Sequence, residues 1–268
     1  MNPRRSAQLR ADFDAVAALV PYMVVCTDTD TDTASDTDTA DAGWLPAERL
    51  TGDAEFLLHH VRATGAGRGA PDDAVAASLF VQGYAFRLGS ATLAPLVVTG
   101  RAPLVSPRNV RIRITRNRPG AIAVSADART VDARDPDPTG TVLTALLDHL
   151  GLLVITLRSV VRVGERMLWG NALSSFVTVL RAIEGEVADI AEKARLRKFT
   201  DDLVDRVSTV HGPLGSCFVV QGDTDGVDTW QFRRTSCCLW YRTSECTNAA
   251  VGYCADCSLW DRPKRVSP

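Results

Sequence analysis

Apolar residues recur at helical spacing along most of the chain. Over residues 6–22, Leu9, Phe13, Val16, Leu19 and Val20 share one face, which predicts a helix. The pattern resumes at Trp44 and Leu45, and a second helix is expected over 52–63. Its His59 and His60 are adjacent, so they do not share a helix face and read as surface residues rather than a metal pair. A third helix, over 72–88, opens on Pro71, Asp72 and Asp73, acids that favour the first turn. Val75, Leu79, Phe80, Tyr84 and Phe86 give it a wide apolar stripe. Residues 141–160, 165–183 and 185–207 repeat the helical period.

Between these helices the period changes. Residues 96–98 and 104–105 are short apolar runs bounded by Pro and Gly, and read as strands. Val110 to Thr115, VRIRIT, alternates apolar and basic residues as a half-buried strand does. Its expected partner is 121–124, joined across Arg118-Pro119-Gly120. Residues 132–140, DARDPDPTG, form a loop, and the chain reads as irregular beyond Gly212. The 141–160 stretch is long enough to span a bilayer, but Asp148, His149 and Arg158 interrupt it, so it reads as a buried core helix and no membrane span is expected. Together the elements predict an α+β fold, mostly helical, with a small central antiparallel β element. The body is expected over 1–211 and a C-terminal module over 212–268. Residues 27–43 form an acidic, low-complexity loop that lacks the Gly and terminal Glu of a calcium-binding EF-hand.

Composition narrows the class. A chain of 268 residues with 46% hydrophobic and 23% charged residues has enough apolar surface for a large core, which excludes a disulfide-dependent miniprotein or a disordered chain. The net charge of -2 argues against a uniformly basic nucleic-acid binder. Only Lys193, Lys198 and Lys264 accompany the many arginines, so arginine abundance is read as compositional bias. The N-terminal apolar run, Ala15 to Cys26, is interrupted by Pro21 and preceded by Asp12 and Asp14, a poor signal peptide, so a cytoplasmic location is expected.

The cysteines carry the chemistry. Of seven, five lie between 237 and 257. An odd count in a chain read as cytoplasmic fits a disulfide framework poorly, whereas a tight cluster fits metal ligation. Cys254-Ala255-Asp256-Cys257 lets two sulfurs converge on one ion, which serves zinc and iron–sulfur centres alike. Adjacent Cys237 and Cys238 ligate together only if the backbone there departs from a regular strand. Zinc sites typically use two spaced pairs, so the vicinal pair leans toward a cluster. A [2Fe–2S] centre takes four thiolates, two per iron, and Arg233, Arg234 and Arg242 would offset its negative charge. From spacing alone a four-cysteine zinc knuckle and a vicinal disulfide stay open. Trp240 and Tyr241 flank the pair and are candidates for shielding it from water. Cys26 and Cys217 have no partner motif and are expected to be buried structural thiols.

The run Arg233-Arg234-Thr235-Ser236-Cys237-Cys238-Leu239-Trp240-Tyr241-Arg242, followed by the C-x-x-C at 254–257, resembles the FhuF-like ferric-siderophore reductases. Weaker similarity extends to residues 78–85 and 168–172, so the resemblance runs from about residue 72 to the end. It implies a [2Fe–2S] cluster held by Cys237, Cys238, Cys254 and Cys257. It also implies transfer of single electrons to Fe(III) held by a siderophore. The loop between the pairs is longer than the family's usual spacing of about ten residues, a difference that the slow growth of loop-closure cost tolerates. That loop contains Cys246, which offers an alternative ligand to Cys254.

Siderophores present hard oxygen donors that suit ferric iron and hold ferrous iron far more weakly, so one electron makes an inert complex labile. No G-x-G-x-x-G follows a strand and no flavin motif is present, so an external donor is implied: a ferredoxin, a flavodoxin-type protein or a reductase. On the 110–115 strand, Arg111 and Arg113 share one face. They read as a solvated surface or as a docking surface for an anionic complex or an acidic donor protein. Aromatics do not interleave with them, so no nucleic acid is expected. The competing readings are a non-enzymatic zinc-stabilised protein and a siderophore-binding iron-uptake accessory protein.

Overall fold

The computed structural model describes residues 3–30, 43–220, 229–248 and 253–259. Most of the acidic 27–43 stretch lies outside them. Among the described residues the helices are α1 (Pro3–Leu19), α2 (Ala47–Gly52), α3 (Ala54–Arg68), α4 (Asp73–Thr99), α5 (Pro138–Val160), α6 (Glu165–Glu186), α7 (Ile190–His211) and α8 (Ser244–Asn248). The strands are β1 (Val25–Thr27), β2 (Trp44–Pro46), β3 (Arg101–Pro103), β4 (Val110–Thr115), β5 (Arg118–Val124), β6 (Thr130–Asp132), β7 (Gly215–Val220) and β8 (Thr229–Arg234). Of the described residues 62% are helical and 16% in strands, so the class is α+β with small sheets added to a helical frame.

α4 organises that frame. Asp72 accepts from the Val75 amide at 2.9 Å to start it, and Gly100, at φ 72°, ends it. The helix is buried almost all round, as a central helix must be. It continues through the expected strand at 96–98. Pro95, a boundary signal in the sequence, lies inside the helix in a buried setting where tertiary packing outweighs one lost backbone bond. α6 packs most extensively on α4. Gly89 permits this approach, because a Cβ there would stand 3.2 Å from Phe176.

Other boundaries shift for local reasons. The helix expected over 52–63 is α3, which starts at Ala54 because Asp53 caps it through the Phe56 amide at 2.9 Å and runs on to Arg68; the short α2 before it was not expected. The helix expected from 185 starts at Ile190, where Asp189 accepts from Glu192 N. α5 is the one described helix long and apolar enough to cross a membrane. One of its faces is buried from Val142 to Leu157, includes His149, and packs on α2, α3 and α4; Leu152 and Ile155 face outward.

The central sheet has the order β1-β5-β4-β2. β4 pairs antiparallel with β5 and β2, as expected of VRIRIT, but β1 joins β5 in parallel, so the sheet is mixed. The β4–β5 turn lies at Arg116 and Asn117, with φ of 50° and 58°, rather than at Arg118-Pro119-Gly120. Two successive positive φ angles match the right-handed twist of a tight hairpin, and Asn tolerates them. Strand β3 pairs with β6 and precedes residues 104–105, which are not in a strand.

Beyond Gly212 the chain is not irregular throughout, because β7 pairs antiparallel with β8. Trp230, Phe232 and Arg234 alternate on the buried face of β8, and the two aromatics enter the main apolar core. This places β8, and with it the residues before Cys237, against α6, while β7 packs on α6 and α7.

Candidate functional site

All seven cysteines are free thiols, and Cys237, Cys238, Cys254 and Cys257 lie in the two segments that follow β8. Cys238 and Cys257 are buried, and Cys237 and Cys254 half-buried. The Sγ atoms of Cys238 and Cys254 are 3.6 Å apart. Cys237 is hydrogen-bonded to Cys238 and feels the charge of Cys257. The backbone departs from strand geometry where the vicinal pair demands it: Leu239 is left-handed, at φ 65° and ψ 5°. Its amide then donates to Cys237 Sγ at 3.3 Å. The second pair repeats the device. Cys257 N donates to Cys254 O at 3.0 Å, and Leu259 N donates to Cys257 Sγ at 3.4 Å. Among the described residues no group of three or more His, Cys, Asp or Glu side chains stands assembled to hold a metal ion. The sulfurs meet pairwise.

Their electrostatics are unequal. Hydrogen bonds from Cys237 and Cys254, with the Arg234 charge, hold Cys238 well below the ordinary thiol range. The hydrogen bond to Cys238, then burial, pushes Cys237 and Cys254 up. The site therefore concentrates one negative charge on Cys238 and shares it through thiol donors.

Arg234 sits at the centre of the surrounding polar contacts and is 2% exposed. Its Nη2 donates to Cys254 Sγ at 2.9 Å and to Asp256 Oδ1 at 3.0 Å. Its Nε lies 2.8 Å from Asp256 Oδ2, and Nη1 donates to Asn171 Oδ1 at 2.7 Å. Burial opposes the charge on Arg234, but Cys238, Asp256 and Cys254 outweigh it and keep the guanidinium protonated. Asn171 also donates to Ser78 Oγ at 2.7 Å, and Ser78 donates to the Cys238 carbonyl. Ser174 also donates to Asp256, so this carboxylate is already committed to Arg234 and Ser174. Gly170 completes the fit: a Cβ there would stand 2.5 Å from Ser236 Oγ, immediately before Cys237.

The other candidates separate. Arg233 points away from the sulfurs and stands over the Phe218 ring at 5.1 Å. Arg242 donates to Asp72 at 2.8 Å and, with the Ser244 amide on the Gly69 carbonyl, clamps the post-cysteine turn to the α3–α4 corner. Trp240 is half-buried; Tyr241 is 42% exposed and packs edge-on against Tyr253. Arg111 is exposed on β4, and Arg113 lies over the Trp44 ring at 5.2 Å. Cys246 is buried on α8, where its amide donates to Thr243 Oγ1. Cys26 and Cys217 are half-buried rather than buried, and burial followed by a hydrogen bond with Asp201 pushes the Cys217 thiol up.

Sequence reasoning missed the roles of Ser78, Asn171, Ser174 and Asp256. A signal existed: Ser78, Asn171 and Ser174 are polar residues on otherwise apolar, fully buried helix faces. No protein-family model matches the chain, and no curated protein matches it.

Proposed function

We propose that Cys237, Cys238, Cys254 and Cys257 hold a [2Fe–2S] cluster and that the protein is a cytoplasmic ferric-siderophore reductase. The observation that carries this reading is the meeting of Cys238 with Cys237 and Cys254 beside the buried Arg234, with Cys257 close enough for its charge to reach Cys237. A sulfur-only donor set suits iron–sulfur centres, and the positive charge of Arg234 offsets that of a tetrathiolate. The amides of Leu239 and Leu259 already donate to sulfur, a contact that raises the reduction potential of such centres. When bound, the cluster supplies one electron at a time.

The chain's own residues perform the remaining work. Arg234 and Asp256 fix the approach of the two cysteine segments, because the guanidinium bridges Cys254 and Asp256 at one side and Asn171 of α6 at the other. Ser78 anchors the Cys238 carbonyl to α4. Half-burial of Cys237 and Cys254 keeps one side of the site near solvent, where a ferric complex and a one-electron donor protein would approach. The balance is one electron from the donor and one Fe(III) reduced to Fe(II), whose oxygen ligands then bind it weakly.

The test is a single turnover without oxygen. Protein reduced with dithionite and freed of excess reductant is mixed with a ferric siderophore and a ferrous-trapping dye. One trapped Fe(II) per reduced protein, lost in Cys238→Ser, is expected. Zinc in place of iron and sulfide would overturn the reading in favour of a structural zinc module.

A further inference from the structure

A cavity of about 290 Å³ opens between α4, α6 and the β4–β5 hairpin, and three arginines line it: Arg68, Arg87 and Arg118. No carboxylate lines it among the described residues. Among the described residues Arg87 donates to the backbone carbonyls of Pro119 at 3.3 Å and Tyr22 at 2.9 Å and stands over the Phe86 ring, and no carboxylate pairs with it. Burial accordingly pushes it down to about 10. Arg68 has a buried Nε without a partner, and its one carboxylate neighbour, Glu245, is 3.7 Å from Nη1. Arg118 is exposed at the start of β5 and is close enough to disfavour the charge of Arg68. Two largely buried cations, Arg68 and Arg87, with exposed Arg118 beside them are a pattern that an anion relieves.

The cavity adjoins the cysteine site. Gln82 and Ser175 on its wall lie one helical turn from Ser78 and Asn171, which bind the Cys238 carbonyl and Arg234. Arg68 itself feels the charge of Cys238. A guanidinium is a planar fork that matches a carboxylate with two parallel hydrogen bonds.

We propose that the Arg68–Arg87–Arg118 cavity is an oxyanion site that grips the carboxylates of a net-negative ferric chelate beside the cysteines. This rests on the reductase reading and sharpens it: the preferred substrate is a carboxylate-type complex rather than a neutral hydroxamate.

The probes are redox-inert gallium(III) complexes, titrated calorimetrically into the full chain. Gallium citrate is expected to bind at least about tenfold more tightly than gallium desferrioxamine E, the neutral cyclic trihydroxamate complex, the scale of one lost charge-assisted contact. Arg118→Glu removes that preference, and Arg118→Lys retains part of it. The charge-matched control Arg129→Glu, at an exposed position outside the cavity, leaves it unchanged. Equal binding of the two complexes, an unaffected Arg118→Glu variant, or inorganic phosphate binding as tightly as gallium citrate would overturn the proposal. Iron and sulfide are assayed on the same samples. Charge-selective binding without iron or sulfide upholds the anion site and refutes the reductase reading; iron and sulfide without selective binding refutes the anion site alone.

Discussion

Along one pair of helices the structure changes its means of cohesion. Midway, α4 and α6 meet through an apolar seam in which Gly89 lies against Phe176 and Val179. Toward the N-terminal ends of the same helices, Ser78, Gly170, Asn171 and Ser174 receive the cysteine segment through small and polar side chains. The seam gains stability from area, is non-directional and tolerates exchange of similar volumes. The polar end gains little net energy per contact, yet each contact fixes one orientation, and a lost partner leaves a buried charge behind. The first arrangement decides where the helices lie; the second decides where the sulfurs lie.

The largest effect should come from breaking the polar end. Arg234→Met leaves Asp256 uncompensated and should cost about 3–5 kcal/mol in chemical denaturation. Adding Asp256→Leu should return a large part of it, since an apolar pair of similar volume replaces an ion pair at little net cost. A double variant no more stable than the single one would show that the ion pair is not the coupling element. Next, Phe176→Ala opens a cavity in the seam and should cost about 3 kcal/mol, measured the same way. It should leave the iron and sulfide content per folded chain unchanged, and a loss of both would mean that the two ends of the helix pair are not independent.

A third effect belongs to the buried interior of α5. His149 meets the Tyr84 hydroxyl through Nε2 at 2.8 Å, and burial holds it down to about 3, from an ordinary value of 6.5. The unfolded chain therefore binds a proton at higher pH than the folded one. Stability from this group is complete above 6.5 and is lost as pH falls from there toward 3. Between pH 7 and 5 the loss should be about 2 kcal/mol. Denaturation at both pH values, with His149→Gln as the comparison, should show a flatter dependence in the variant. The smallest effect is expected at Arg233, whose contact with the Phe218 ring is partly exposed. Arg233→Ala should cost under about 1 kcal/mol and leave iron and sulfide intact, although Arg233 neighbours Arg234 in sequence.

That last contrast shows how much was legible in the sequence. The spacing of Cys237, Cys238, Cys254 and Cys257 marked the site, and the vicinal pair implied the irregular backbone found at Leu239. Alternation could have separated the two arginines: Trp230, Phe232 and Arg234 share a face of β8 that Arg233 does not. The supporting contacts were not legible in the same way. Ser78 and Cys238 are 160 positions apart, and nothing local in a serine on a helix says which carbonyl it will meet. The helices were visible from their period, but their limits depended on single residues. Asp53 set the start of α3, and buried Pro95 failed to end α4. The three arginines of the cavity come from α3, α4 and β5, so only the fold assembles them.

The most direct test of the central claim is the visible absorption of protein purified without oxygen, before and after dithionite, with iron, sulfide and zinc assayed on the same sample. Broad sulfur-to-iron bands that bleach on reduction are expected, with iron and sulfide in equal amounts, about two of each per chain, and their loss in Cys238→Ser. A colourless protein carrying zinc and no sulfide, even after attempted cluster assembly, would contradict that claim.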